Sequence, residues 1–351
     1  MRLNQNNLRS RTSIAFALLV ALVSMSCDGA ESSDPSSVGT EVVVYCSVDQ
    51  EYAEELFAAF ERAHPEIEVR TRFDTEATKT TGLVERLRAE RERPQADLFW
   101  SSEAFLAVRL ANEGLFQPLP LISTYSKWPE AFRSDKSLWF GFAGRARVIA
   151  YNPSRVSDPP MSWRDLTKPE YAGRVVMADP NFGTTRGHIA AWFHLWGADE
   201  AEAFLEALAA NDLRIVQSNS QTVREVTSGL ADFALTDTDD VWAAERNGHE
   251  LAVVYPRHGD ADGEGTLLIP NTLGFVAGRP FDESIMTVAE YILSRETERL
   301  LAESDSHNIP LRYDDIPLDD RYRAPDPLVV NYEEVAAVMD DAIEVANRIF
   351  K

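Results

Sequence analysis

Apolar and polar positions alternate along this chain with two periods. Residues 41–46, Glu-Val-Val-Val-Tyr-Cys, are β-branched and aromatic and predict a buried strand. Over residues 51–64, Tyr52, Leu56, Phe57 and Phe60 recur at helical spacing, and Pro65 closes the helix. Residues 67–73 alternate as a second strand. Residues 81–93 form a charged amphipathic helix that Pro94 ends, and residues 96–100 are a third strand followed by a helix to Ala111. Strand, helix, strand, helix, strand predicts an α/β protein with a parallel, doubly wound sheet.

A connection bearing Pro, Ser and Trp (118–136) separates this series from a second one. The strand at 139–153 opens it, and a lobe crossover falls near Gly144. Then come a short capped helix at 162–166, a strand at 174–178, a Gly/Thr loop at 179–187, and helices at 189–195 and 201–210. A strand at 213–216 and a short helix at 222–228 precede the stretch 231–242. After a strand at 251–255 and a polar loop at 257–265, strands at 266–269 and 272–277 lead back toward the first series. Terminal helices follow at 284–293 and 335–350. The expected division is residues 40–143, completed by 271–351, in one lobe and residues 144–270 in the other. A length of this order exceeds the usual single domain.

The N-terminus breaks the pattern. Arg2, Arg9 and Arg11 precede an apolar run of about ten residues and a small-residue region ending at Cys27, which reads as an export signal over residues 1–26. The run is well short of the ~20 residues of a membrane-spanning helix. A cysteine at this place is similar to a bacterial lipoprotein signal, with a departure at Ser24, and marks Cys27 for lipidation. Residues 27–39 are rich in Ser, Gly, Asp and Pro and read as a flexible tether. The expected location is the periplasm or cell envelope, with membrane contact only through the lipid anchor. Net charge is −23, and removing the signal takes it to −26. A chain so acidic is expected not to bind nucleic acid through phosphates. Besides Cys27 only Cys46 remains, so no internal disulfide framework is available.

The densest candidate chemistry is Thr236-Asp-Thr-Asp-Asp240, placed where the apolar run Phe233-Ala-Leu235 ends and a helical pattern begins. Such a cluster lies at the carboxyl edge of a strand, where open α/β sheets bind ligands. Its carboxylates repel one another unless a cation or hydrogen-bond donor meets them. The same residues also read as a helix cap on a solvated loop. Other strand ends add Ser47 and Asp49, then Ser101, Ser102 and Glu103, then Asn181, Thr184 and Thr185 before a helix whose N–H groups suit an anion. Each of these also reads as a cap or turn. Arg145 and Arg147 fall on the same side of their strand, and a guanidinium fork suits carbonate, phosphate or carboxylate. Trp139, Trp163, Trp192 and Trp196 read as core. An enzyme is not expected: G-x-S-x-G, P-loop and H-E-x-x-H motifs are missing, and His188 and His194 are six apart.

Several segments carry a family resemblance. They are Val42-Val-Val-Tyr-Cys-Ser47, Ala58-Ala-Phe-Glu-Arg-Ala-His-Pro65, Ala96-Asp-Leu-Phe-Trp100 and Gly144-Arg-Ala-Arg-Val-Ile-Ala-Tyr-Asn152, with Ser162-Trp-Arg-Asp-Leu166, Gly229-Leu-Ala-Asp-Phe-Ala-Leu235 and Ile309-Pro-Leu311. In this order the chain resembles the extracellular family-1 solute-binding proteins of ABC importers, in particular the ferric-iron binders. The resemblance implies a two-lobed periplasmic-binding-protein type II fold, with a hinge between two doubly wound sheets and ligand in the cleft. It also implies a monomer that serves an ABC permease and its ATPase, with a bound solute and no resident cofactor.

The resemblance departs at one place. The ferric binders carry adjacent tyrosines after the strand matching Phe233-Ala-Leu235, and here Thr236-Asp-Thr-Asp-Asp240 stands instead. Carboxylates are hard donors that suit Fe³⁺, other hard cations or an organic ammonium. The favoured ligand is ferric iron or another hard cation, held by Asp237 and Asp239 with Thr238, helped by Asp49 or Glu103, and accompanied by an anion on Arg145. The alternative is a phosphate- or phosphonate-bearing solute on Arg145, Thr184 and Thr185, with any amino group on Asp237 or Asp239. A surface sensory lipoprotein reusing the fold is the reading from another class.

Overall fold

The computed structural model describes residues 40–74, 80–120, 128–261 and 264–351. The signal, the tether and Cys27 lie outside the described residues. The first series folds as its pattern predicts. It runs β1 (Thr40–Cys46), α1 (Gln50–Ala63), β2 (Ile67–Phe73), α2 (Thr81–Ala89), β3 (Leu98–Ser101), α3 (Phe105–Asn112) and the short β4 (Phe116–Gln117). The long β5 (Trp139–Tyr151) opens the second series. β6 (Val175–Ala178), α4 (Gly183–Trp196), α5 (Ala198–Ala210), β7 (Arg214–Val216), α6 (Asn219–Thr227), β8 (Phe233–Asp237), α7 (Thr238–Arg246) and β9 (Ala252–Val254) follow. The chain returns through β10 (Thr266–Val276), α8 (Glu283–Ile292), α9 (Arg295–Glu303), β11 (Pro327–Leu328) and α10 (Tyr332–Ile349).

Two parallel triplets flank a pair of long antiparallel strands, in the order β2-β1-β3-β10-β5-β8-β6-β7. β1 runs parallel to β2 and β3, and β6 parallel to β7 and β8. The first part of β5, through Ala146, pairs with β10, and the part from Arg147 onward pairs with β8. Hydrogen bonding therefore continues from one triplet to the other through β5, and residues Gly39–Lys351 form one compact unit. β10 is a single strand where the sequence suggested two. Pro270, which has no N–H to give, stands at a register shift, the place a strand tolerates it.

The core follows the period of the strands. Ile149 of β5, Val175 and Met177 of β6, and Phe233 and Leu235 of β8 face the main hydrophobic cluster, which extends through Trp100, Phe142, Trp163 and Trp192. Their neighbours Val148, Val176 and Ala234 face a smaller cluster with Val223, Val241 and Trp242. The four tryptophans expected in the core are accordingly buried or half-buried. α10 packs against α4 and α5 as well as α3, so it touches elements of both series. α3 and α4 also meet directly. A Cβ on Gly187 would lie 2.0 Å from the Phe105 ring, so only glycine permits the approach. Among the described residues no helix is long and apolar enough to cross a membrane.

Candidate ligand-binding site

β5 and β8 build the floor of the site by register. Arg147 is the direct cross-strand partner of Asp237, and the two side chains form a buried ion pair at 2.9 Å. Burial removes water from both charges, so the pair depends on further hydrogen bonds. Arg147 Nη1 also donates to Thr184 Oγ1 at 3.1 Å, while Asn219 Nδ2 donates to Asp237 Oδ2 at 2.9 Å and to Thr184 Oγ1 at 2.7 Å. The Thr184 hydroxyl is itself bonded to Asp237 Oδ2. Asp237 occupies the N-cap position of α7 but makes no cap hydrogen bond, because its carboxylate is engaged here. The helix-cap reading of this aspartate therefore does not hold.

Two residues before Arg147 on the same strand face, Arg145 reaches Asp239 in the first turn of α7. Its Nη1 lies 3.3 Å from Asp239 Oδ2, and its Nη2 donates to the Ser102 carbonyl at 2.5 Å. Burial works against the charge of Arg145, but the field of Asp239, Asp237, Asp49 and Asp240 more than offsets it and raises its pKa. Its Nε is buried with no hydrogen-bond partner among the described residues. Carboxylate oxygens of Asp237, Asp239 and Asp240 lie within 4.8 Å of one another, a spacing that one cation can bridge.

Arg145 and Asp239 stand between two small cavities. One, of about 30 Å³, is lined by Ser102, Phe182, Gly183, Thr184, Ser218, Asn219 and Asp240 besides Asp237 and the pair itself. The other, of about 10 Å³, is lined by Asp49, Tyr52, Asn271 and Asn308 with Ser102 and the pair. In this conformation the larger one has room for about one or two water molecules. Outside them a groove of about 390 Å³, lined by Asp49, Tyr52, Arg224, Asp239 and Asp240, leads to the surface. Gly183, with φ of +55°, turns the chain into α4 at the cavity wall, and no side chain caps that helix.

Of the residues expected from sequence, Ser102, Arg145, Thr184, Asp237, Asp239 and Asp240 line the larger cavity, and Asp49 lines the smaller. Three others stand behind the wall. Ser47 Oγ accepts from the Ser102 amide at 2.8 Å, Thr185 donates to Asn219 at 3.1 Å, and the Thr238 hydroxyl accepts from the Ala146 amide. α4 starts at Gly183, so Thr184 and Thr185 belong to its first turn and not to a preceding loop. Three expectations are corrected. Glu103 does not reach the cavity, because its buried carboxylate accepts from the amides of Phe105 and Leu106 at the start of α3. Burial raises its pKa to about 7, against those amides and the charges of Arg186 and Arg145. Asn181 exchanges side-chain hydrogen bonds with Asn347 of α10, and the Ser101 hydroxyl accepts from the Glu103 amide. Ser218 and Asn219 were not singled out. Their signal was available, since they follow the strand at 213–216 and open a helix, as the other candidates do.

Residues 93–330 match the bacterial extracellular solute-binding protein family. The chain is 26% identical over 237 residues to iron uptake protein A1 of Synechocystis sp., a match spanning 65% of each chain. It is 27% identical over 244 residues to a putative 2-aminoethylphosphonate-binding periplasmic protein of Salmonella typhimurium, spanning 69% of this chain and 70% of that one. Its fold is similar to that of iron-bound HitA from Pseudomonas aeruginosa, with a TM-score of 0.77 at 22% identity, covering 88% of this chain and 99% of HitA. The parallel triplets about two crossing strands are thus those of a type II periplasmic binding protein. On the family match over most of its length, this chain belongs to the bacterial extracellular solute-binding proteins.

Proposed function

We propose that this protein is the exported solute-binding component of an ABC importer, anchored through a lipid on Cys27 and acting as a monomer. It captures ferric iron together with a small anion and delivers both to a membrane permease and its ATPase. Residues 40–143 with 271–351 form one lobe and residues 144–270 the other, and the ligand lies where Arg145 meets Asp239.

The observation that carries this reading is the Arg145–Asp239 contact beside the aspartate trio. A lone cation taking Asp239 would leave Arg145 buried without its partner, and stranding one charge of a buried pair costs about 3–5 kcal/mol. A ligand that brings both charges satisfies both groups. Asp239 and Asp240 are the cation's oxygen donors. Asp237 lines the same cavity but already holds Arg147, Thr184 and Asn219. Arg145, through its buried Nε, takes the anion. The name of the Synechocystis relative supports iron. With no tyrosine pair at 236–240, a ferric complex here has no phenolate absorption band from those positions.

The Salmonella relative favours a second reading, a zwitterionic aminophosphonate with its phosphonate on Arg145 and the uncapped start of α4 and its amine on Asp239. Calorimetry of the metal-free protein against ferric citrate and 2-aminoethylphosphonate separates the two. If the cation leads, Asp239→Ala weakens binding more than Arg145→Ala; if the anion leads, the order reverses. Binding of neither compound by the wild-type protein overturns both.

A further inference from the structure

A chain of hydrogen bonds leaves the cavity floor and enters the interior. Arg147 Nε donates to His188 Nδ1 at 3.1 Å. His188 Nε2 faces His258 Nε2 at 3.0 Å, and His258 Nδ1 faces the Gly265 carbonyl oxygen at 2.8 Å. Both imidazoles are buried. The direction of every link follows from donor chemistry. A guanidinium only donates, so His188 Nδ1 accepts and its ring proton resides on Nε2. That N–H donates to His258 Nε2, which places the His258 proton on Nδ1, opposite an oxygen that only accepts. All links are satisfied when both rings are neutral. A proton added to His188 meets the Arg147 N–H head-on. A proton added to His258 meets the His188 N–H, and moving the His188 proton to Nδ1 only transfers the conflict to Arg147.

We infer that His188 and His258 are positioning residues of the ligand cleft. They form a one-way chain that holds Arg147, and through it Asp237 and Thr184, in place, and that lets them go when either ring gains a proton. The inference rests on the ligand site proposed above and adds its regulation by acid. The groups facing the two rings agree with it. From β5 comes Arg147, with Asp237 of β8 beyond it. From α4 and the 162–167 turn come the indoles of Trp192, Trp196 and Trp163, and from the stretch before β10 the Gly265 carbonyl. Burial, then the positive charge of Arg147, holds the His188 pKa well below the usual range. Burial pushes His258 down to about 4 even though the Gly265 carbonyl acts the other way. The chain therefore stays intact at neutral pH and fails in acid.

Imidazole ¹⁵N NMR of the mature chain tests the chain directly. At neutral pH the expected result is His188 protonated on Nε2 and His258 on Nδ1, both neutral. The opposite tautomer on either ring, or a charged ring at about pH 6.5, overturns the inference. Affinity for ferric citrate and for 2-aminoethylphosphonate tests the positioning. His258→Gln keeps an acceptor and a donor, and binding should stay near wild type. His258→Leu leaves the His188 N–H without a partner, and binding should weaken about tenfold. Equal behaviour of the two variants overturns positioning. If His258→Leu does not fold, the pH profile decides: wild-type affinity should fall relative to His258→Gln below about pH 5, and parallel profiles overturn the inference. If the wild type binds neither compound, the ligand reading fails separately. The side-chain amide signal of Asn219 then decides, because it touches Asp237 and Thr184; it should move on acidification in wild type and move less in His258→Gln, where only the His188 ring remains to gain a proton, and equal movement in both, or none in wild type, overturns the inference.

Discussion

Arg145 and Arg147 are two residues apart on one face of one strand, and each meets an aspartate, yet their surroundings give them different work. Arg147 is fully buried and held by Asp237, Thr184 and His188, on contacts of 2.9 to 3.1 Å. Arg145 is almost as buried, but its contact with Asp239 is 3.3 Å and it borders two cavities; Arg145 Nε and Arg147 Nη2 alike have no partner among the described residues. Register accounts for the difference. Arg147 stands opposite the last residue of β8, whereas Arg145 stands past the end of β8 and looks onto the first turn of α7. A charge opposite a charged cross-strand partner is locked, and one that stands past the end of the neighbouring strand is left able to exchange partners.

The largest expected effect breaks the locked partner. Arg147→Ala strands Asp237 and should cost about 3–5 kcal/mol in urea unfolding. Arg145→Ala, beside a cavity that water can enter, should cost clearly less. Equal losses would remove the distinction. Next comes binding: Arg145→Ala should weaken ligand capture about tenfold to a hundredfold while the melting temperature moves by only a few degrees, and Asp239→Ala should also weaken capture but at a larger cost in stability, because it strands the buried Arg145. Calorimetry beside thermal melts reads both quantities.

pH sharpens the comparison further. The folded-state pKa values of His188 and His258 lie below the unfolded value near 6.5, so the unfolded chain takes up protons first. Their contribution to stability is complete above about pH 6.5 and is lost as pH falls, toward about 4 for His258. Glu103 has the opposite sign: its folded pKa of about 7 lies above the unfolded value, so it costs stability as pH rises from about 4.5 through 7. Urea unfolding from pH 4 to 8 should thus show a flatter acid limb in His258→Gln and a flatter neutral limb in Glu103→Gln. The smallest effect belongs to an exposed aspartate. Asp340 of α10 bridges Arg109 of α3 and Arg186 of α4, but it is 66% exposed. Asp340→Asn should cost less than about 1 kcal/mol, a loss that salt should further reduce. A loss as large as that of Arg147→Ala would mean that burial does not govern what these charges contribute.

Much of the architecture was legible in the chain because burial imposes a period. The alternation of Val, Phe and Leu in the strands, and the spacing of Leu56, Phe57 and Phe60 in α1, place most of the elements before any contact is known, though not α9. Polar clusters at strand ends were equally legible, so Thr184, Asp237 and Asp239 stood out, and Arg145 stood out as a charge inside a strand. The same signal also selected Glu103 and Asn181, because a polar side chain that is satisfied by its neighbours in the fold and one that faces a ligand have the same local sequence. Which of them reaches the cavity depends on the direction each strand end faces after β5 and β10 have brought the two series together. The His188–His258 chain lies further still from local signals. Its rings come from elements 70 residues apart, and they meet only because α4 and the stretch before β10 pack over Arg147. The sequence alone determined the elements and their chemistry, since periodicity and residue type are local properties. Tertiary structure decided which charges are locked and which can exchange partners, since burial and register are set by contacts between distant residues.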